Sequence, residues 1–281
     1  MTTKTFKDMA ELDKDSLMVV DALNLAFRYK HARSVDFADD YIKTVKSLQQ
    51  SYKCAHVIIA CDKGSSTYRK EVYPEYKANR KEKQAEQTPE EAFEFEQFIQ
   101  EFEVTMTKIH DSFPVIRFQG VEADDIAAYI SLVSKNYGIN KVWNISSDRD
   151  WDLLCSPTIS RFSYVTRKEI TWDNWKQHYD CEPDEYISMK CLAGDTGDNI
   201  PGVDGIGPKR SAELIREYGS AFDIVASLPI KSKYKYVQKL NESADIILRN
   251  YQLMDLVTYC EDAIGANNVL VIDNIMQELL K

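Results

Sequence analysis

Nine acidic side chains recur at places where a folding chain can gather them. Three short apolar runs end in aspartate: Val20-Asp21, Cys61-Asp62 and Ser147-Asp148, the last followed closely by Asp150. One aspartate at such a place is an ordinary turn residue. Three gain meaning if the runs are parallel strands, because the carboxyl ends of parallel strands open on one crevice. Gly120-Val121-Glu122-Ala123-Asp124-Asp125 leads into the apolar run Ile126-Ala127-Ala128-Tyr129-Ile130. A helix start favours acids through its macrodipole, but capping needs only one of these three. Asp195 and Asp198 complete the set within Gly194-Asp195-Thr196-Gly197-Asp198-Asn199.

Two like charges 4 Å apart repel by roughly 4 kcal/mol at an effective dielectric of 20. Asp21, Asp62, Glu122, Asp124, Asp125, Asp148, Asp150, Asp195 and Asp198 therefore require cations if they converge. Mg²⁺ suits them, since it takes oxygen ligands and keeps several waters. Two such ions, with Mn²⁺ as a substitute, bring a cluster charge of −9 to −5. They can clamp the attacking and leaving oxygens of an in-line phosphoryl displacement. A calcium-storage loop is excluded, because no DxDxDG loop closed by glutamate is present. Zinc has no support either, since the four histidines and six cysteines form no ligand spacing.

Basic residues lie close in sequence to these acids. Tyr76-Lys77-Ala78-Asn79-Arg80-Lys81-Glu82-Lys83 offers Lys77 and Arg80 to a phosphate and Tyr76 to a base, although such a stretch before a helix is also an ordinary solvated surface. Gly202-Val203-Asp204-Gly205-Ile206-Gly207-Pro208-Lys209-Arg210 is a glycine hairpin running into a helix. Lys209 and Arg210 stand at that helix's positive end, where cations are disfavoured unless an anion such as a DNA phosphate binds there. Gly205 and Gly207 belong to the same backbone-contacting turn. Lys231, Lys233, Lys235 and Lys239 extend the phosphate track or form a solvated face. Arg28 is counted with the DNA-contacting set.

The elements that must position these residues follow from hydrophobic period. Runs at 17–20, 56–60, 115–118 and 141–145 alternate with segments of helical period, which predicts an α/β core with a mainly parallel sheet. Thr88-Pro89-Glu90-Glu91 opens a helix with a capping box and Pro in the first turn. Its stripe is Ala92, Phe95, Ile99, Phe102, Met106 and Ile109, read as packing surface. Strand signals stop near Glu185, and the chain becomes helical with glycine-rich turns. Residues 1–16 read as a polar leader of a cytosolic protein, 17–182 as the core, and 183–281 as a helical subdomain. No apolar run approaches the roughly 20 residues that span a bilayer, so no membrane partner is expected. The cysteines read as free thiols. The net charge of −10 runs against the basic balance usual in a nucleic-acid binder, but the nine carboxylates account for −9 of it and leave −1 for the rest.

Taken in order, Val20-Asp21-Ala22-Leu23-Asn24, Cys61-Asp62, Glu75-Tyr76-Lys77-Ala78-Asn79-Arg80, Glu122-Ala123-Asp124-Asp125, Ser147-Asp148-Arg149-Asp150 and the segment from Gly194 to Arg210 resemble the 5′ nuclease or flap endonuclease family. The likeness covers residues 17 to 260. The family includes freestanding 5′-3′ exonucleases of T5-like bacteriophages and the nuclease domain of bacterial DNA polymerase I. The resemblance implies a PIN-like core, a helical arch around residues 77–110, and a helix-three-turn-helix around 186–220 that holds duplex DNA, often with K⁺. By motif position Asp21, Asp62, Glu122 and Asp124 would serve a first metal. Asp148, Asp150, Asp195 and Asp198 would serve a second, with Asp124 near both and Asp125 in support. Lys77 and Arg80 would contact the scissile or terminal phosphate, and Tyr76 would stack on an unpaired nucleotide. Lys83 joins the arch contacts, and Lys209 and Arg210 would anchor the downstream duplex. Ala22 and Arg149 stand where many relatives carry Gly, but neither change removes a ligand.

These readings imply a monomeric enzyme of replication and repair that cuts DNA with 5′ flaps, overhangs or nicks, in the cytoplasm of a bacterial host. No sliding-clamp motif is seen. Two alternatives compete: a PIN-like single-strand ribonuclease, and an inactive structure-specific DNA-binding protein. A duplex-holding hairpin counts against the first, and retention of all nine acids counts against the second.

Overall fold

The computed structural model describes residues 11–32, 34 and 36–279. Its centre is a six-stranded sheet in the order β3-β2-β1-β4-β5-β6. Here β1 is Asp13–Asp21, β2 Cys54–Ala60, β3 Val115–Ile116, β4 Lys141–Ile145, β5 Ile159–Ser163 and β6 Lys168–Ile170. All neighbours pair in parallel except β5 and β6. Strand order reverses between β1 and β4, the place where such sheets leave an open crevice at their carboxyl ends.

Alternate residues of the central strands feed two cores. Leu17, Val19, Ile58, Ala60 and Val142 face one side, and Met18, Val20, Val57, Ile59 and Trp143 face the other. The period of two sends successive side chains to opposite faces. Burial on both faces is why these strands read as unbroken apolar runs. The sequence gives no such signal for β5, because Ser160, Arg161 and Ser163 interrupt it.

Helices α1 (Ala22–His31), α2 (Ala38–Tyr52), α3 (Thr67–Val72), α4 (Ala78–Ala85), α5 (Pro89–Ile109) and α6 (Ala123–Val133) accompany the sheet. Residues of α1, α2 and α5 pack on one face, and those of α6 on the other. The capping box of Thr88 and Glu91 is formed as the sequence predicts. The stripe of α5 needs a correction: Ala92 is exposed, while Phe98 is buried and stacks on Phe27 and Phe37. The free N-terminal end of α5 projects beyond the core, so only its later turns have a partner to pack against.

The expected leader is also shorter than 1–16. Residues 1–10 lie outside the described residues, but Asp13 already pairs with Cys54 in β1. Ser16 can sit buried in the strand because its hydroxyl donates to the carbonyls of Asp13 and Lys53.

Beyond the sheet lie α7 (Pro183–Ala193), the short antiparallel pair β7 (Gly194–Asp195) and β8 (Ile200–Pro201), α8 (Pro208–Tyr218), α9 (Ala221–Ala226), α10 (Lys235–Asn241), α11 (Ala244–Met254), α12 (Leu256–Ile264) and α13 (Ala266–Leu279). A third core joins α7 to α11 through Leu192, Leu214, Ile224, Leu240 and Ile247. The last two helices behave differently. Leu256, Cys260, Ile264, Ile272 and Met276 pack in the same core as β1 and α6, so the chain returns to the sheet after its helical excursion.

Candidate active site

Asp21 closes β1 and caps α1, accepting from the Asn24 backbone N–H at 3.2 Å and from the Ser146 hydroxyl at 2.7 Å. Asp62 follows β2 and accepts from the Ala123 N–H at 2.8 Å, at the start of α6. In the first turn of α6, Asp124 accepts from the Trp151 indole at 2.6 Å. Asp148 follows β4 and caps a short helical turn, accepting from the Asp150 N–H at 2.9 Å. Among the described residues no lysine or arginine nitrogen lies within 4.0 Å of these four carboxylates. Burial and the neighbouring Asp62 push the Asp21 carboxyl up to about 8. Burial, with Asp148 beside it, holds Asp124 well above the usual carboxylate range, and burial raises Asp62 as well.

The other five acids each have a protein cation. Burial alone would raise Glu122, but Lys77 at 2.8 Å and Arg69 at 3.3 Å outweigh it and leave its carboxyl lowered. Asp198 meets Arg80 at 2.9 Å and Lys77 at 3.6 Å. Lys190 pairs with Asp150 and, at 3.3 Å, with Asp195. Asp125 is the exception to the expected metal set. It is fully buried and takes a bidentate pair from Arg69 at 2.6 and 2.7 Å, while the Arg69 Nε donates to the Leu253 carbonyl. Successive helix positions are separated by about 100°, so Asp124 and Asp125 cannot face the same way.

A cleft of ≈ 640 Å³ opens above the strand ends, with Asp21, Asp62, Asp124 and Asp148 in its floor and Lys77, Arg80 and Gln84 in its wall. No residue of α4 is buried, so this helix stands clear of the core beside the cleft, and Lys83 is exposed on it. Lys77 adopts a left-handed backbone (φ 56) and its N–H donates to the Asp198 carbonyl, which fixes the base of α4 to the glycine-rich turn. The assignment of Tyr76 to base stacking is corrected. Tyr76 is only 2% exposed, and its hydroxyl donates to Glu122 at 2.8 Å and Asp198 at 3.1 Å. A ring enclosed in this way has no free face for a base.

Among the described residues no three His, Cys, Asp or Glu side chains close into a ready-made metal cage. The donor chemistry nonetheless fits a hard divalent ion. All the donors are oxygens, four carboxylates lack a protein cation among the described residues, and Mg²⁺ is commonly held by one or two carboxylates with waters and phosphate completing the shell.

The second basic element lies on the helical side. A Cβ on Gly194 would meet the Gly202 nitrogen at 2.2 Å, and one on Gly202 would meet the Ala193 carbonyl at 2.2 Å, so the two backbones touch only as glycines. Gly205 (φ 77) turns the chain, Gly207 caps α8, and Lys209 and Arg210 are exposed in its first turn. Arg210 donates to the Gly205 carbonyl and lies over the Tyr236 ring, beside an open groove that Lys235 and Lys239 also line. Lys233 sits against Tyr234. Arg28 is exposed and lies against the Tyr164 ring, 4.6 Å from its centroid.

Two family models cover nearly the whole chain: the 5′-3′ exonuclease N-terminal resolvase-like domain over residues 16–180 and the 5′-3′ exonuclease C-terminal SAM fold over 181–274. The chain belongs to the 5′-3′ exonuclease family. It is 44% identical to the flap endonuclease of Escherichia phage T5, over 95% of this chain and 92% of the phage protein. It is 28% identical to DNA polymerase I of Bacillus subtilis, over 88% of this chain and 28% of the polymerase. The structure of the T5 5′-exonuclease with zinc bound superposes with a TM-score of 0.91 at 42% identity, covering 95% of this chain and 100% of that one. The T5 flap endonuclease in a pseudo-enzyme-product complex with DNA and metal ions gives 0.90 at 41% identity, covering 94% and 99%.

Four side chains that shape the centre of this 5′-3′ exonuclease were missed by sequence reasoning. Ser146 and Trp151 hold Asp21 and Asp124 from within the Ile145–Leu154 stretch. Arg69 gives no sequence signal, since its partners Asp125 and Leu253 are remote along the chain. Lys190 does give one: it is a lone charge inside Ile187-Ser188-Met189-Lys190-Cys191-Leu192-Ala193.

Proposed function

We propose that the protein hydrolyses phosphodiester bonds in DNA bearing 5′ flaps, 5′ overhangs or nicks, with two Mg²⁺ ions that Mn²⁺ can replace. The observation that carries this reading is the convergence of Asp21, Asp62, Asp124 and Asp148, which among the described residues have no protein cation, in a cleft walled by Lys77 and Arg80. As a member of its family it is a structure-specific 5′ nuclease.

Asp21, Asp62 and Asp124 would hold the first ion, with Glu122 behind them. Asp148, Asp150, Asp195 and Asp198 would serve the second. When bound, such ions lower the pKa of a water and stabilise the charge developing on the leaving oxygen. The chain's own residues do the positioning. Ser146 and Asn24 orient Asp21, and Trp151 orients Asp124. Lys77 and Arg80 exchange their contacts with Glu122 and Asp198 for the oxygens of the phosphate being cut. The 3′-oxygen leaves, and the downstream product keeps a 5′-phosphate.

Lys209, Arg210, Lys233 and Lys235 would follow the duplex backbone from the glycine turn, where the family resemblance also places K⁺. Lys83 and Arg28 would meet DNA nearer the cleft. The working unit is a monomer in the cytoplasm of a bacterial host, with residues 17–182, joined by Asp195 and Asp198, supplying the chemistry and the rest of 183–281 most of the duplex grip. No described helix is long and apolar enough to cross a membrane.

The test is a 5′-flap DNA labelled at its 5′ end, incubated with Mg²⁺ beside an RNA strand of the same sequence. Release of a short labelled product, with a 5′-phosphate on the remaining duplex, supports the reading. Preferential cutting of the RNA would replace it with the ribonuclease alternative.

A further inference from the structure

Lys190 occupies the last turn of α7 with its side chain 13% exposed, and its ammonium reaches two carboxylates that come from different parts of the fold. Asp150 belongs to the turn that follows β4, and Asp195 to the glycine-rich turn after α7, its Oδ2 lying 3.3 Å from the lysine nitrogen. Among the described residues no other lysine or arginine pairs with either carboxylate. The Asp195 Oδ1 is committed to the N–H groups of Gly197 at 2.8 Å and Asp198 at 3.3 Å, so Oδ2 is the oxygen it has left to offer. A divalent ion arriving at these oxygens meets an ammonium already there, and the two cations repel each other.

The contrast with the first half of the centre is specific. Asp21, Asp62 and Asp124 lie close together and among the described residues none pairs with a protein cation, whereas Asp150 and Asp195 are already bridged. An ammonium on a flexible four-carbon stem is a point charge that can swing aside, unlike a planar guanidinium locked in a bidentate pair. Arg69 on Asp125 is a lock of that second kind.

We propose that Lys190 is a resident cation that closes the Asp150–Asp195 half of the centre until a divalent ion displaces it. This rests on the two-ion reading above. The first ion then binds to open carboxylates, and the second must compete with a tethered lysine. The affinity of the second ion is accordingly set by Lys190 as well as by its carboxylate ligands. Lys190 is here a positioning residue, acting on the ion's ligands and not on the substrate.

The test uses the full chain without DNA. Mn²⁺ binding is measured by electron paramagnetic resonance for the wild type, Lys190→Met and Lys190→Gln, with melting temperatures in EDTA and in Mn²⁺. Acetylation of Lys190 in the wild type is followed by mass spectrometry as Mn²⁺ is added. The expected results are a second Mn²⁺ bound about tenfold or more tightly by the variants, with the first unchanged, because removing the cation from this partly buried pair leaves charge that the ion can compensate. The variants should also melt lower than the wild type in EDTA and regain more on adding Mn²⁺, and Lys190 should become more readily acetylated as the second ion binds. A second ion bound equally or more weakly by the variants, or Lys190 acetylation unmoved by Mn²⁺, overturns the proposal and leaves a permanent ion pair. If neither wild type nor variants bind any Mn²⁺, the two-ion reading fails and this proposal falls with it. If the variants do not fold, the acetylation of the wild type decides alone.

Discussion

Arg69 and Asp125 form a bidentate buried pair at 2.6 and 2.7 Å, and the same guanidinium reaches Glu122 at 3.3 Å and the Leu253 carbonyl at 2.8 Å. One side chain of α3 thereby ties the acidic start of α6 to the end of α11. Removing it would strand the buried Asp125 carboxylate and leave Glu122 with Lys77 as its cation. Breaking such a pair costs about 3–5 kcal/mol. Arg69→Met should therefore lower the urea midpoint steeply, and Asp125→Asn should lower stability while leaving divalent-ion affinity nearly unchanged. An Asp125→Asn protein of normal stability that loses ion binding would return Asp125 to the metal set.

The pH dependence without metal has a definite sign. The Asp21 carboxyl lies at about 8 in the fold against a reference of 3.8, so the folded state holds a proton that the unfolded chain releases. Its stabilising contribution is complete below the reference value and is lost as pH rises through the folded value. Asp62 and Asp124 shift in the same direction. Glu122 is lowered, so its contribution is present above its reference of 4.5 and lost in acid, outside this window. In EDTA, urea unfolding should thus show stability falling from about pH 5 to about pH 8. Mg²⁺ should flatten that decline, and so should Asp21→Asn. A stability that rises over the same range in EDTA contradicts the burial of these carboxylates without cations.

Tyr76 and Lys77 are neighbours with different expected phenotypes. Tyr76→Phe removes the hydroxyl that Glu122 and Asp198 accept, which should cost about 1–3 kcal/mol of stability. Its affinity for single-stranded flaps relative to duplex should not change, since the buried ring offers no stacking face. Lys77→Met should slow single-turnover flap cleavage by about 10²–10³-fold, the loss typical of one donor aimed at developing charge. Equal effects of the two changes on cleavage would contradict the division of labour.

What the sequence disclosed depended on how local the signal was. Asp21, Asp62 and Asp148 were legible because apolar runs buried on both faces stop just before them. The hairpin was legible because only glycine permits the approach of Gly194 to Gly202. The pairing of Asp125 with Arg69 was not legible because adjacency in sequence hides a turn of about 100°. Tyr76 was misjudged because its partners, Glu122 and Asp198, come from two other segments. The return of α12 and α13 to the first core was hidden too, since helical periodicity marks an apolar face without naming what covers it.

Lys209 and Arg210 are exposed at the start of α8, next to the groove lined by Lys235 and Lys239. If they contact phosphates, each alanine substitution should weaken duplex binding without regard to sequence and reduce the slope of log K against log salt by about 0.9. Binding isotherms over a salt series check this. An unchanged slope for both variants would remove α8 from the DNA interface.

The most direct measurement is single-turnover cleavage of a 5′-flap DNA by wild type and Asp124→Asn, each with Mg²⁺ and with EDTA. The account predicts that the wild type cuts only with Mg²⁺. Asp124→Asn should bind the flap normally and fold at least as stably in EDTA, yet cut about 10²–10³-fold more slowly. Equal cutting by both proteins, or undiminished cutting by the wild type in EDTA, would contradict the claim that the carboxylates of this cleft hold the ions that drive the reaction.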